Sequence, residues 1–259
     1  MKKYLIFLIA CMLTALLLPG CTTQPTREPL KAIPLPEAGI NIWASPDTEE
    51  SIDVITEEEA SALAFSTRTE DEMYGILPWD KESQHWGNLY THSVCWADVT
   101  ILETRDCLYT WHEFLTPVTL ARCKVNDVLL PYEQCTLLPG DEVTIVLNSS
   151  MHVPYDMVPP FKENGRYLVP VEDMTQMALP SGWQYYRPYA QYRAVCDHWF
   201  HMEIIGEGNF NPKVDTEAMG RFLGLDQVPG CRDYLSWGTR DVANLFKQRR
   251  NDYTYLGPY

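Results

Sequence analysis

Between Thr91 and Ile205 the chain is a run of β-type apolar segments separated by proline- and glycine-bearing turns, with no helical stretch between them. Val94, Trp96, Val99, Ile101 and Leu102 mark one such segment, and Val118, Leu120, Cys123, Val125 and Val128 a second, across a loop containing Asp106 and Pro117. Leu138-Pro139-Gly140-Asp141 is a turn by composition, and residues 142–147 after it read as a third strand. Residues 151–162, with Pro154, Pro159 and Pro160, read as a loop, and Asn164-Gly165 turns into a fourth strand over 167–171. Pro170 has no N–H to give to a ladder, so that strand should carry a free edge there. A fifth strand is expected through 194–205. Strands this close together predict a small antiparallel barrel or sandwich with peripheral helices, an α+β unit.

The helices lie at the margins. Thr56 followed by Glu59 is a capping-box pattern, and Ala60, Leu63 and Ala64 form a helical stripe, which predicts a helix over 57–66. Asp215 and Thr239 are placed to cap two more, over 216–223 and 240–250. No internal repeat is visible.

The N-terminus speaks to location. Met1, Lys2 and Lys3 precede 15 uncharged residues, Tyr4 to Leu18, closed by Pro19, Gly20 and Cys21. The run is short for a bilayer span and reads as an export signal. Leu17-Leu18-Pro19-Gly20-Cys21 resembles the lipobox of bacterial lipoproteins, although Pro19 departs from the small or aliphatic residue usual at its position. The resemblance implies that residues 1–20 are a lipoprotein signal peptide and that Cys21 receives a diacylglycerol and becomes the mature N-terminus. The chain is then expected outside the cytoplasm, anchored to the bacterial cell membrane by a lipid. Residues 21–55, with Pro25, Pro29, Pro34, Pro36 and Pro46, are expected as a flexible, acidic tether reaching ~3 Å per residue. Residues 56–259 are expected as one globular unit.

Charge narrows the partners. The formal net charge is −15, and loss of Lys2 and Lys3 with the signal takes it to −17. Such a chain lacks the clustered cations that phosphate backbones require, so nucleic acid is not expected as a partner. Anionic lipid repels it too, so the folded unit should stand off the membrane on its tether.

The order of long strand, hairpin, Val-Asn-Asp-Val-Leu-Leu, Pro-Gly-Asp-Glu-Val-Thr-Ile and Glu-Asn-Gly-Arg-Tyr-Leu-Val over residues 91–173 also resembles the small OB-like barrel of uncharacterised bacterial surface lipoproteins. It is similar in outline to the barrel of metalloprotease inhibitors. The resemblance implies an OB-like β core at about 91–210, but brings no functional residues with it.

Chemistry-bearing groups are sparse. With Cys11 lost in the signal and Cys21 lipidated, Cys95, Cys107, Cys123, Cys135, Cys196 and Cys231 remain, either paired or reduced. A hairpin centred near residue 109 sets Cys95 almost opposite Cys123, the favoured disulfide. There is no CxxC, which counts against thioredoxin-type redox chemistry and a zinc ribbon. Cys196, His198 and His201 are metal-ligating types, but a strand sends 201 to the opposite face from 196 and 198, so no metal is expected. Ser149, Ser150, His152 and Asp156 lack a nucleophile elbow. Trp183, Tyr185, Tyr186, Tyr189 and Tyr192, with Arg187 and Arg193, are either core or a platform for glycans or peptides. Two readings follow: a surface binding or interaction module without enzymatic activity or cofactor, its ligand an envelope glycan, peptide or protein; or a cell-envelope hydrolase or protease-inhibitor-like protein whose site no motif exposes.

Overall fold

The computed structural model describes residues 27–63, 92–112, 114–147, 161–176, 183–195, 202–205 and 209–210, together with 241, 244 and 247. The described residues are mostly β-sheet. Its strands are β1 (Ile40–Ala44), β2 (Glu50–Val54), β3 (Cys95–Trp111), β4 (Phe114–Leu129), β5 (Glu142–Leu147), β6 (Arg166–Asp173), β7 (Tyr192–Ala194), β8 (Met202–Ile205) and β9 (Asn209–Phe210).

β3 and β4 are the frame. They pair along their whole length, from Trp96 opposite Leu129 to Trp111 opposite Phe114, and His112 takes a left-handed φ of 52° at the turn. The hairpin is interrupted twice, where Asn126 is extra on β4 and Leu102 is extra on β3. Bulges bend and twist a strand, and β3 changes its second partner across the one at Leu102. Residues 95–100 pair with β6, whereas residues 107–111 pair with β2.

β4 pairs with β5, β5 pairs in parallel with β7, and β7 and β3 both pair with β6, so the pairings return to β3 in a closed circuit. The β5–β7 step is parallel, where an antiparallel arrangement was expected throughout. Alternate residues of all five strands meet in one cluster, among them Val99, Ile101, Cys123, Ile145, Val169 and Ala194, as period-two side-chain alternation requires. The intervening residues Val118, Leu120 and Val146 face the other way and form a second cluster with Cys107, Ile52, Val54, Met174, Tyr186 and Ala190.

The expected fifth strand over 194–205 is β7 and β8, with 196–201 outside the described residues. Pro170 sits where β6 passes from β8, paired through Leu168, to β7, paired from Val171. Its carbonyl accepts the Val195 N–H, so the missing N–H faces that gap and not β3. The helix expected over 57–66 is α1 (Glu57–Ala62), with its capping box formed: Thr56 Oγ1 accepts from Glu59 N, and Glu59 accepts from Thr56 N. Residues 216–223 lie outside the described residues. In the segment expected as a helix over 240–250, Asp241, Asn244 and Lys247 are helical and exposed.

The tether expected over 21–55 is folded from Arg27 onward. Residues 40–54 form the β1–β2 hairpin, and residues before it are held by specific bonds: Leu30 N donates to Asp141, Thr144 Oγ1 to Ile33 O, and Gln191 Nε2 to Lys31 O. The prolines read as tether because they favour extended backbone, but extended backbone with free carbonyls is equally able to lie along a sheet.

Candidate binding surface

Trp43 of β1 is the direct partner of Ile52 on β2, and Ile52 that of Tyr109 on β3, so the three share one face of the sheet. A register shift between Asn41 and Trp43 lets both Ile42 and Trp43 pack against the outer cluster. Ile52 is fully buried, while Trp43 and Tyr109 are half-buried.

A 3-10 turn, Trp183–Tyr186, lies over this face. Tyr189 N and Ala190 N both donate to Tyr186 O, which continues the turn to residue 190, and Arg187 Nε anchors it on Met174 O at 2.8 Å. The Tyr185 ring lies on Trp43, with ring centroids 3.4 Å apart and planes 16° from parallel. Tyr189 packs beside them, half-buried. Burial raises the Tyr109 phenol above its ordinary value, as do the charge of Glu50, the neighbouring Tyr185 and a hydrogen bond to Glu50. The result is a patch of partly exposed aromatic rings with one carboxylate at its edge.

The aromatic residues expected from the sequence therefore divide. Tyr185 and Tyr189 belong to the patch, and Arg187 is exposed at its margin. Tyr186 is core, with its phenol pushed well up by burial first and then by Cys107 and Tyr109. Tyr192 points into the inner cluster, its hydroxyl 3.0 Å from Thr136 Oγ1, and Arg193 forms a buried ion pair with Glu172. Trp183 opens the 3-10 turn, and its side chain lies outside the described residues. Trp43, Tyr109 and Glu50 were missed. The alternation of Ile40, Ile42 and Ala44 was the available signal, masked by the flanking prolines.

Cys95 and Cys123 do not pair. Cys123 stands opposite Ile101, six residues along β3 from Cys95 and so roughly 20 Å away. The hairpin turns between Trp111 and Phe114 and the single extra residues on its two strands offset each other, so the expected symmetry about residue 109 fails. Cys107 and Cys123 are buried free thiols, both raised by desolvation. Cys21, Cys196, His198, His201, Ser149, Ser150, His152 and Asp156 lie outside the described residues. Among the described residues no three His, Cys, Asp or Glu side chains are grouped to hold a metal ion.

A shallow groove of about 550 Å³ runs between the N-terminal segment and the β4–β5 turn, lined by Leu30, Lys31, Pro34, Arg122, Gly140 and Glu142, among others. It brings together charges of both signs and no aromatic ring. Comparison with family models, with curated proteins and with solved structures found no match to this chain.

Proposed function

We propose that this protein is a lipid-anchored extracytoplasmic binding module that presents the Trp43–Tyr185 face to an envelope glycan. The reading rests above all on the stacked, half-exposed pair Trp43 and Tyr185 beside Tyr109 and Tyr189. Flat rings offer contact area at low conformational cost, and the apolar face of a sugar ring fits them. Glu50 at the edge accepts hydrogen bonds from sugar hydroxyls or an amino group, and a net charge of −15 disfavours anionic ligands.

The scaffold of this reading is an OB-like barrel, supported by the closed circuit β3-β4-β5-β7-β6 with its parallel β5–β7 step. Cys21 is the anchor, and no residue acts as a catalyst.

Neutral N-acetylglucosamine oligomers titrated against the purified protein test the binding. Trp43→Ala is expected to abolish binding and Tyr189→Ala to weaken it about tenfold; unchanged affinity in both sinks the proposal, and binding of cationic peptides alone replaces the glycan. Intact mass and membrane partition of the native protein and Cys21→Ala test the anchor.

A further inference from the structure

We propose that Cys95 and Cys135 are a dithiol site that closes to a disulfide bracing the β3–β4 hairpin. Cys95 is the first residue of β3, and the chain returns to it after β4: Tyr132 N donates to Val94 O at 3.0 Å, and Cys135 N to Tyr132 O at 2.9 Å. Both side chains pack in the same inner cluster, and each thiol shifts the ionisation of the other, Cys95 upward and Cys135 downward. The closed loop, residues 95–135, spans the whole hairpin.

The two sulfurs are unequal, as stepwise closure requires. Cys135 is half-exposed and Cys95 buried. A hydrogen bond from Cys95 favours the Cys135 thiolate and outweighs its burial; the Leu137 N–H and the Arg27 charge help, against Asp173. Cys95 is raised by the same hydrogen bond and by burial. The thiolate is the attacking form, and access decides which thiol meets an oxidant. Cys135 Sγ attacks one sulfur of a small-molecule disulfide RSSR and expels RS⁻, leaving Cys135–S–S–R. Cys95 then gives up its proton and attacks Cys135 Sγ, expelling the second RS⁻. The oxidant takes up the two electrons and both protons, and two RSH leave. Cys107 faces the outer cluster and Cys123 lies six residues down the ladder, so neither competes among the described residues.

Trypsin separates the four described thiols, because Lys81, Arg105, Arg122, Lys124 and Lys162 flank them. The full chain is incubated with oxidised glutathione, alkylated, digested without reduction and mapped by mass spectrometry. A linked pair of the Cys95 and Cys135 peptides, with both thiols protected from alkylation, is expected. Reduction should then lower Tm by roughly 10 °C in the native protein and leave Cys135→Ser unmoved. Alkylation of both thiols, a persistent glutathione adduct on Cys135, linkage of either to another cysteine, or a Tm indifferent to reduction overturns the proposal. The peptide map is read on the native chain, so it holds even where a cysteine variant fails to fold.

Discussion

Arg27 and Asp141 stand 114 positions apart in sequence and are joined by two hydrogen bonds, Nη1 to Oδ1 at 3.0 Å and Nη2 to Oδ2 at 2.5 Å. Asp141 also accepts from Leu30 N and Leu138 N, both at 2.8 Å, so one buried carboxylate closes the turn before β5 and fastens the N-terminal segment to it. Such a forked, charge-assisted contact holds direction as well as distance.

Asp141→Ala is expected to cost about 2–3 kcal/mol in denaturant unfolding, since it strands the guanidinium and two N–H groups. Arg27→Ala should cost less, its side chain being 31% exposed, but should release residues 27–37 to faster amide exchange. Burial raises the Asp141 carboxyl, yet the bonds from Arg27, Leu30 and Leu138 outweigh it and hold the group below its ordinary 3.8. The folded value being lower than the unfolded one, this stability is present above pH ~4 and is lost as pH falls through the folded value. Acid unfolding of Asp141→Asn should lack that component.

Gly165 and Gly140 resist substitution for different reasons. A Cβ at Gly165 meets Tyr167 Cε2 at 2.6 Å and the Lys162 carbonyl oxygen at 2.8 Å, and the second is backbone that cannot swing aside. Gly165→Ala should therefore break the 3.0 Å bond from Lys162 N to Tyr167 Oη and cost about 2–3 kcal/mol. A Cβ at Gly140 would meet nothing within 4 Å, but φ is +93°, so Gly140→Ala should cost about 1 kcal/mol from backbone strain alone. Urea midpoints of the two variants, at unchanged m, measure the difference.

What the sequence disclosed and what it hid have physical causes. Val143, Ile145 and Leu147 face one cluster and Val146 the other, so the period-two pattern of 142–147 marks β5 to the residue. The capping box at Thr56 and Glu59 was legible because both its partners lie within one turn. Register was not. The chain turns between Trp111 and Phe114 and not near residue 109, which sets Cys123 opposite Ile101, while the single extra residues at Leu102 and Asn126 carry no signal of their own and offset by one only the pairs between them. The β5–β7 pairing is made by ordinary backbone groups and the docking of residues 27–37 by Asp141, Thr144 and Gln191, more than 100 positions away, so no local pattern reveals either. The same holds for the aromatic face: Tyr185 and Tyr189 stood out as a cluster, whereas their partner Trp43 comes from 142 residues upstream of Tyr185.

Alkaline titration should separate the tyrosines. Burial pushes Tyr167 up to about 12, with Glu203 adding and the Lys162 N–H opposing, and Tyr186 and Tyr192 also rise through burial. Their folded values exceed the unfolded ~10, so the stability they contribute is present below pH ~10 and is lost as pH rises towards 12. Absorbance at 295 nm should show these phenols ionising only together with loss of the near-ultraviolet circular dichroism signal. Smooth ionisation of every phenol near 10 with the fold intact would contradict the packing around them.

Glu172 and Arg193 are direct partners on β6 and β7 and form an ion pair in which the carboxylate is fully buried and the guanidinium 11% exposed. Each charge is costly to desolvate and tolerable only beside the other, so the contribution of the pair is a property of both together. Arg193→Met should leave Glu172 buried without its counter-charge and cost about 3–5 kcal/mol, and Glu172→Leu should cost about as much by isolating the arginine. Replacing both at once removes both desolvation costs, and the double variant is expected within about 1 kcal/mol of the native protein. A double-mutant cycle in urea measures this coupling. If the two single losses simply add, the contact between Glu172 and Arg193 is not what holds β6 to β7 at this point, and the ladder from Val171 to Asp173 carries the junction alone.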